Sequence, residues 1–99
     1  MRVIAWKGLR EFAAMHSHAL GPLKVWAKSM KTQTFANPAE VKRAFGPSVD
    51  FLPDAIVVFD IGGNKYRISA NIRYHAGLVF IRHVMTHDEY NRRTRNCTL

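Results

Sequence analysis

Between Ala55 and Val84 the pattern becomes that of strands, in three runs separated by turn residues. AIVVFDI is rich in β-branched residues and is bounded by Pro53 and by Gly62-Gly63. NKYRISANIRY, residues 64 to 74, follows, and LVFIRHV comes after His75-Ala76-Gly77. Connections this short join antiparallel neighbours, because a parallel crossover needs about a dozen residues or more. The pattern predicts a three-strand meander against which the rest of the chain must pack.

Upstream, RVIA at residues 2 to 5 supplies one more short strand. Leu9, Phe12, Ala13 and His16 then recur at helical spacing and predict a helix of about two and a half turns from Lys7, interrupted by His18 and Gly21. In LGPLKVWAKSMK, Pro22 suits the first turn of a second helix, and Leu20, Leu23, Trp26, Ala27 and Met30 form its apolar stripe. Asn37, Pro38 and Glu40 spell a third helix start, with a capping side chain, a proline at the first position and a glutamate three residues after the cap. That helix should turn Val41 and Phe45 inward and stop at Gly46-Pro47. The fold class read from these elements is α+β: a small antiparallel-rich sheet of the N-terminal strand plus the C-terminal meander, with two N-terminal helices on one face and the other face open to solvent.

The chain has 99 residues, which suits a single domain spanning residues 1–99, and its hydrophobic content of 47%, with Trp6, Trp26 and six phenylalanines, is enough for a core. The lone Cys97 can form no intramolecular disulfide, and no Cys/His cluster has zinc-finger spacing. Neither a signal-peptide core nor a membrane-length apolar run is present, so a soluble, cytoplasmic protein is expected. Fifteen Lys and Arg against 7 Asp and Glu favour polyanionic partners, and the excess is spread over both halves of the chain.

Residues 64 to 74 carry that charge in an ordered way. Tyr66, Ile68, Ala70 and Ile72 fall on one face of the strand, and Lys65, Arg67, Ser69, Asn71 and Arg73 fall on the other. If the apolar set packs under the helices, the cations project from the uncovered face as a binding surface. Lys24, Lys28 and Lys31 line the outer side of the second helix, either as a solvated face or as a second polyanion contact. THDEY, residues 86 to 90, follows the last strand. There His87 has a side chain suited to proton exchange near neutral pH, and Tyr90 offers an aromatic face and a hydroxyl.

FDIGGNKYRISANIRY followed by VFIRHVMTHDEY resembles the HigB family of bacterial toxins, within the RelE superfamily of type II toxin-antitoxin systems, and VIAWKGLREF matches that family's opening strand and helix. The resemblance runs from about Arg2 to Arg92, and GGNKYR and TH-x-E-Y are its most specific parts. It implies a RelE-like fold and a metal-independent ribonuclease without cofactor that cleaves mRNA, commonly on the ribosome. It further implies neutralisation by a helix-turn-helix, HigA-like antitoxin, with operator DNA reached only through that antitoxin and no membrane involved. By the same resemblance Arg67 lies near the scissile phosphate, and His87 and Tyr90 take catalytic or base-contacting roles.

In such cleavage the 2′-hydroxyl attacks phosphorus, and negative charge grows on the phosphorane. Arg67, helped by Lys65 or Arg73, would stabilise that charge, and His87 is the candidate acid or base. Arg73, Asn71, Asn64, Arg82, Lys24, Lys28 and Arg92 complete the expected RNA contacts. Asp60 stands where relatives more often carry a neutral side chain, and a carboxylate there would weaken the cationic face. Residues 92–99 are expected to form a flexible basic tail. Two other functions fit the same basic sheet: a non-catalytic RNA-binding module and a DNA-binding regulator.

Overall fold

The computed structural model describes residues 1–63 and 65–95. Five strands form one mixed sheet: β1 (Arg2–Ile4), β2 (Val49–Leu52), β3 (Ile56–Ile61), β4 (Tyr66–Arg73) and β5 (Leu78–Thr86). Their order across the sheet is β1-β5-β4-β3-β2, with β1 parallel to β5 and every other pair antiparallel. The helices are α1 (Lys7–Met15), α2 (Leu20–Thr32), α3 (Pro38–Phe45) and α4 (His87–Arg95). The meander is β3-β4-β5, as its short connections require, and β1 adds to its β5 edge.

The N-terminal helices form as their patterns dictate. Leu9 and Phe12 of α1 and Leu23, Trp26, Ala27 and Met30 of α2 are buried. They join Ile68, Ala70 and Ile72 of β4 and Val79 and Ile81 of β5 in one core. Phe59 of β3 meets Trp26 and Phe45 edge-on, with ring centroids 5.5 and 4.9 Å away, geometry that aromatic quadrupoles favour. Asn37 caps α3 by accepting the Glu40 backbone N–H at 3.0 Å, and Glu40 accepts the N–H of Ala36 in return. Val41 is fully buried beneath α3. Among the described residues no helix is long and apolar enough to cross a membrane.

Three features depart from the sequence expectation. The first is β2, a four-residue edge strand lying between Pro47 and Pro53 and too short to show a period of its own. The second is α4, which begins directly at the end of β5. Thr86 accepts the Glu89 backbone N–H at 3.2 Å, and Glu89 Oε1 accepts the Thr86 backbone N–H at 3.4 Å. This reciprocal capping box satisfies helix-start donors that would otherwise face water, so the chain turns into a helix there. Residues 92–95, expected to begin a flexible tail, are therefore helical, and the remainder of that tail, with Cys97, lies outside the described residues.

The third departure follows from the second. Alternation does place Arg67 and Ser69 opposite the helical core, but that face is not open. α4 packs against β4 and β5 there, leaving Arg67 only 7% exposed and Ser69 fully buried, together with Val58 and Met85. Helices thus cover both faces of the sheet, α1 and α2 on one and α4 on part of the other.

Candidate active site

The site forms where β3, β4 and α4 meet. Asp60 and Arg67 are direct cross-strand partners, and their side chains share the face beneath α4. Arg67 Nε lies 2.8 Å from Asp60 Oδ1, with side chains only 8% and 16% exposed. The contact is an ion pair whose angle falls short of a hydrogen bond. Arg67 Nη1 also donates to the Tyr66 carbonyl at 3.1 Å. Above it, the Tyr90 ring lies 5.5 Å from the guanidinium carbon, within cation–π range. The arginine is held from its own strand, from the neighbouring strand and from the helix.

His87 is the first residue of α4 and is exposed. Its backbone N–H donates to the Lys65 carbonyl at 3.0 Å, which ties the helix start to the turn before β4. Gly62 makes that turn possible. Its φ is +61°, and a Cβ there would sit 2.9 Å from the Tyr66 ring. Asn91, one turn along α4, places Nδ2 3.2 Å from His87 Nδ1. With Nδ2 facing the ring, the amide donates to Nδ1 and the ring proton sits on Nε2. With the amide reversed, its oxygen would accept from a protonated Nδ1, so Asn91 can orient either form of the ring.

Burial raises the Asp60 carboxyl above its ordinary 3.8. Arg67 pulls it back, Asp50 adds to the rise and His87 opposes it. The desolvation cost exceeds the help of the ion pair, as expected for a carboxylate shielded from water on a sheet face. His83, opposite Ser69 on β5, shifts the other way. Burial, then Arg93 and Arg82, holds its pKa below 6.5. Arg67, Asp60, His87, Tyr90 and the Lys65 backbone are thus gathered at one end of the sheet, with one cation clamped and one imidazole at the surface.

Comparison with protein families matches residues 19–93, 75 of the 99 residues, to the HigB toxin family, described as the RelE-like toxic component of a toxin-antitoxin system. The chain belongs to the HigB family. It is 31% identical over 93 residues to the mRNA interferase toxin HigB of Escherichia coli K12, covering 92% of this chain and 88% of that protein. The mRNA interferase HigB of Shigella flexneri matches to the same extent. The mRNA interferase HigB of Escherichia coli O6:H1 is 29% identical over 97 residues, covering 96% of this chain and 93% of that protein.

Within this HigB-family chain the residues singled out from the sequence fall into three groups. Arg67 lies against Tyr90, His87 opens the helix that carries Tyr90, and Lys65 is exposed in the turn whose carbonyl accepts the His87 N–H. Asn71 and Arg82 form a second group further along the same face. A bulge between Ser69 and Ala70 leaves Arg82 out of the strand register, and its Nη1 donates to Asn71 Oδ1 at 2.9 Å. Asn71 Nδ2 in turn donates to the Ala55 carbonyl at 2.9 Å. Arg73 is exposed at the end of β4, and six residues of extended chain put it about 20 Å from Arg67. Arg92 is exposed on α4, and Asn64 lies outside the described residues.

Lys24 and Lys28 form the third group and are not at the site. They belong to α2, across the sheet from Arg67, where they border a shallow apolar groove lined by Trp6, Leu9, Leu20 and Leu23. The residues that sequence reasoning missed are Asn91 and the Thr86–Glu89 pair. Only the second left a signal, the T-x-x-E spacing of a capping box.

Proposed function

We propose that this chain is the toxin of a type II toxin-antitoxin pair, folded as one RelE-like domain, and that it cleaves mRNA at the Arg67–His87–Tyr90 cluster. The observation that carries this reading is a clamped guanidinium beneath the Tyr90 ring, on the same helix whose first residue is the exposed His87. Membership of a toxin family whose named relatives are mRNA interferases supports it.

The chemistry follows from the groups present. A phosphate seated beside Arg67 meets a cation whose plane is already fixed, so its donors need little reorganisation as charge develops. The 2′-oxygen bonds to phosphorus and loses its proton to a base. The bond from phosphorus to the 5′-oxygen breaks, and that oxygen takes a proton, leaving a 2′,3′-cyclic phosphate and a 5′-hydroxyl. His87 is the candidate acid or base for one of these protons, with Asn91 hydrogen-bonded to its ring. Tyr90 presents its ring for base stacking, and Lys65 adds charge at the mouth of the site. Asn71, Arg82 and Arg73 extend the contact along the strand for RNA running away from the scissile bond.

Two partners go with this reading: ribosome-bound mRNA as the substrate and a HigA-like helix-turn-helix antitoxin as the inhibitor, acting in the cytoplasm. Induced expression followed by mapping of RNA 5′ ends tests it. New ends and growth arrest are expected for the wild type and neither for His87→Ala. Intact transcripts and normal growth with the wild type would refute the nuclease assignment, and growth arrest that persists in His87→Ala would favour a non-catalytic RNA binder.

A further inference from the structure

The geometry points to Asp60 as a positioning residue that also acts as a counter-charge: it fixes the Arg67 guanidinium and weakens the grip of the site on RNA. The inference rests on the reading of this cluster as a ribonuclease centre and adds a regulator of affinity inside it. Asp60 is the direct cross-strand partner of Arg67, and its carboxylate touches Nε at 2.8 Å on a face largely shielded from water. A purely structural role would need only a polar side chain of this size packed against Nε. A carboxylate does more, because its full negative charge stands beside the place where Arg67 receives a phosphate.

Like charges at such range repel appreciably when solvent is partly excluded. The phosphate's attraction to Arg67 is therefore offset by its repulsion from Asp60. The net result is a fixed but partly neutralised arginine. Such a site holds single-stranded RNA less tightly than its visible cation suggests, which favours release after cutting.

The test uses the full chain and a short single-stranded RNA carrying 2′-O-methyl groups, which binds but cannot be cut. Asp60→Asn keeps a polar side chain of the same size against Nε and removes the charge. Its RNA affinity should rise on the order of ten-fold over the wild type at low salt. The logarithm of affinity should fall more steeply with the logarithm of salt, by about 0.7 in slope, as for one additional phosphate contact. Asp60→Glu, which restores the carboxylate, should stay within about two-fold of the wild type, on the same electrostatic argument. A merely structural pair predicts the opposite for Asp60→Asn, with weaker binding and a shallower slope.

Should Asp60→Asn fold poorly, the wild type itself decides by NMR. The Arg67 Nε–Hε resonance should shift when the RNA is added, because phosphate competes with Asp60 for the guanidinium, and a resonance left in place by RNA overturns the inference. Cleavage by the wild type together with equal or weaker binding by Asp60→Asn overturns the counter-charge role alone. A wild type that neither binds nor cuts RNA, free or on ribosomes, overturns the nuclease reading and this inference together.

Discussion

Replacing Arg67 by alanine leaves the buried Asp60 carboxylate without the cation it touches, and breaking such a pair costs about 3 to 5 kcal/mol. Arg67→Ala is therefore expected to lose both cleavage and stability, with a melting temperature lower by roughly 10 °C or more on calorimetry. His87 is exposed, so His87→Ala should reduce the cleavage rate by about 10² to 10⁴ fold and leave unfolding within about 0.5 kcal/mol of the wild type. Comparing the two variants by calorimetry and by single-turnover cleavage separates a residue that builds the site from one that only works in it. Asn91→Ala removes the hydrogen bond to His87 Nδ1. A lost bond of about 1 kcal/mol predicts a rate lower by roughly five-fold with RNA affinity unchanged.

At the scale of elements, α4 depends on its first turn. Thr86→Ala removes the acceptor for the Glu89 N–H and should cost about 1 kcal/mol. Because α4 carries His87 and Tyr90, cleavage and melting temperature should fall together, which parallel assays would reveal. Lys24→Ala/Lys28→Ala on α2 should leave cleavage of a short RNA unchanged, since that helix packs on the opposite face. The contrast between α2 and α4 also explains what the sequence could and could not reveal. Leu23, Trp26 and Met30 mark α2 by their spacing, and Ile68, Ala70 and Ile72 mark β4 by theirs, so core elements announce themselves through burial. HDEYNRRTR has no apolar stripe, because α4 meets Arg67 through Tyr90 and buries none of its residues fully. Alternation correctly assigned Arg67 to the face opposite the core. It carried no information about what lies over that face, and so a buried ion pair was read as an exposed cation. Asp60 stood out as a carboxylate among cations, but its cross-strand pairing with Arg67 required the register.

For the whole molecule, charge and burial govern its response to solution conditions. A net charge of +8 makes RNA binding salt-dependent, weakening steadily as salt rises. Stability should also depend on pH through His83. Its folded pKa lies below 6.5 because of burial, so unfolding takes up a proton once the pH drops below that value. The contribution is full above about pH 6.5 and is lost as the pH falls toward the folded value. Asp60 works in the other direction. Its folded pKa is above 3.8, so its cost is present at neutral pH and is relieved on acidification toward 3.8. Urea titrations at about pH 7.5 and about pH 5.5 should show the wild type losing more stability than His83→Gln over that interval. The sheet has one further property, set by the order of its strands. Arg2–Ile4 lies beside Leu78–Phe80, so the earliest strand to be synthesised must wait for almost the latest. At roughly 5 to 20 residues per second that wait is about 4 to 15 s, and the helix bearing the imidazole is made later still. The proposed site is thus incomplete on a nascent chain until translation has passed β5 and α4.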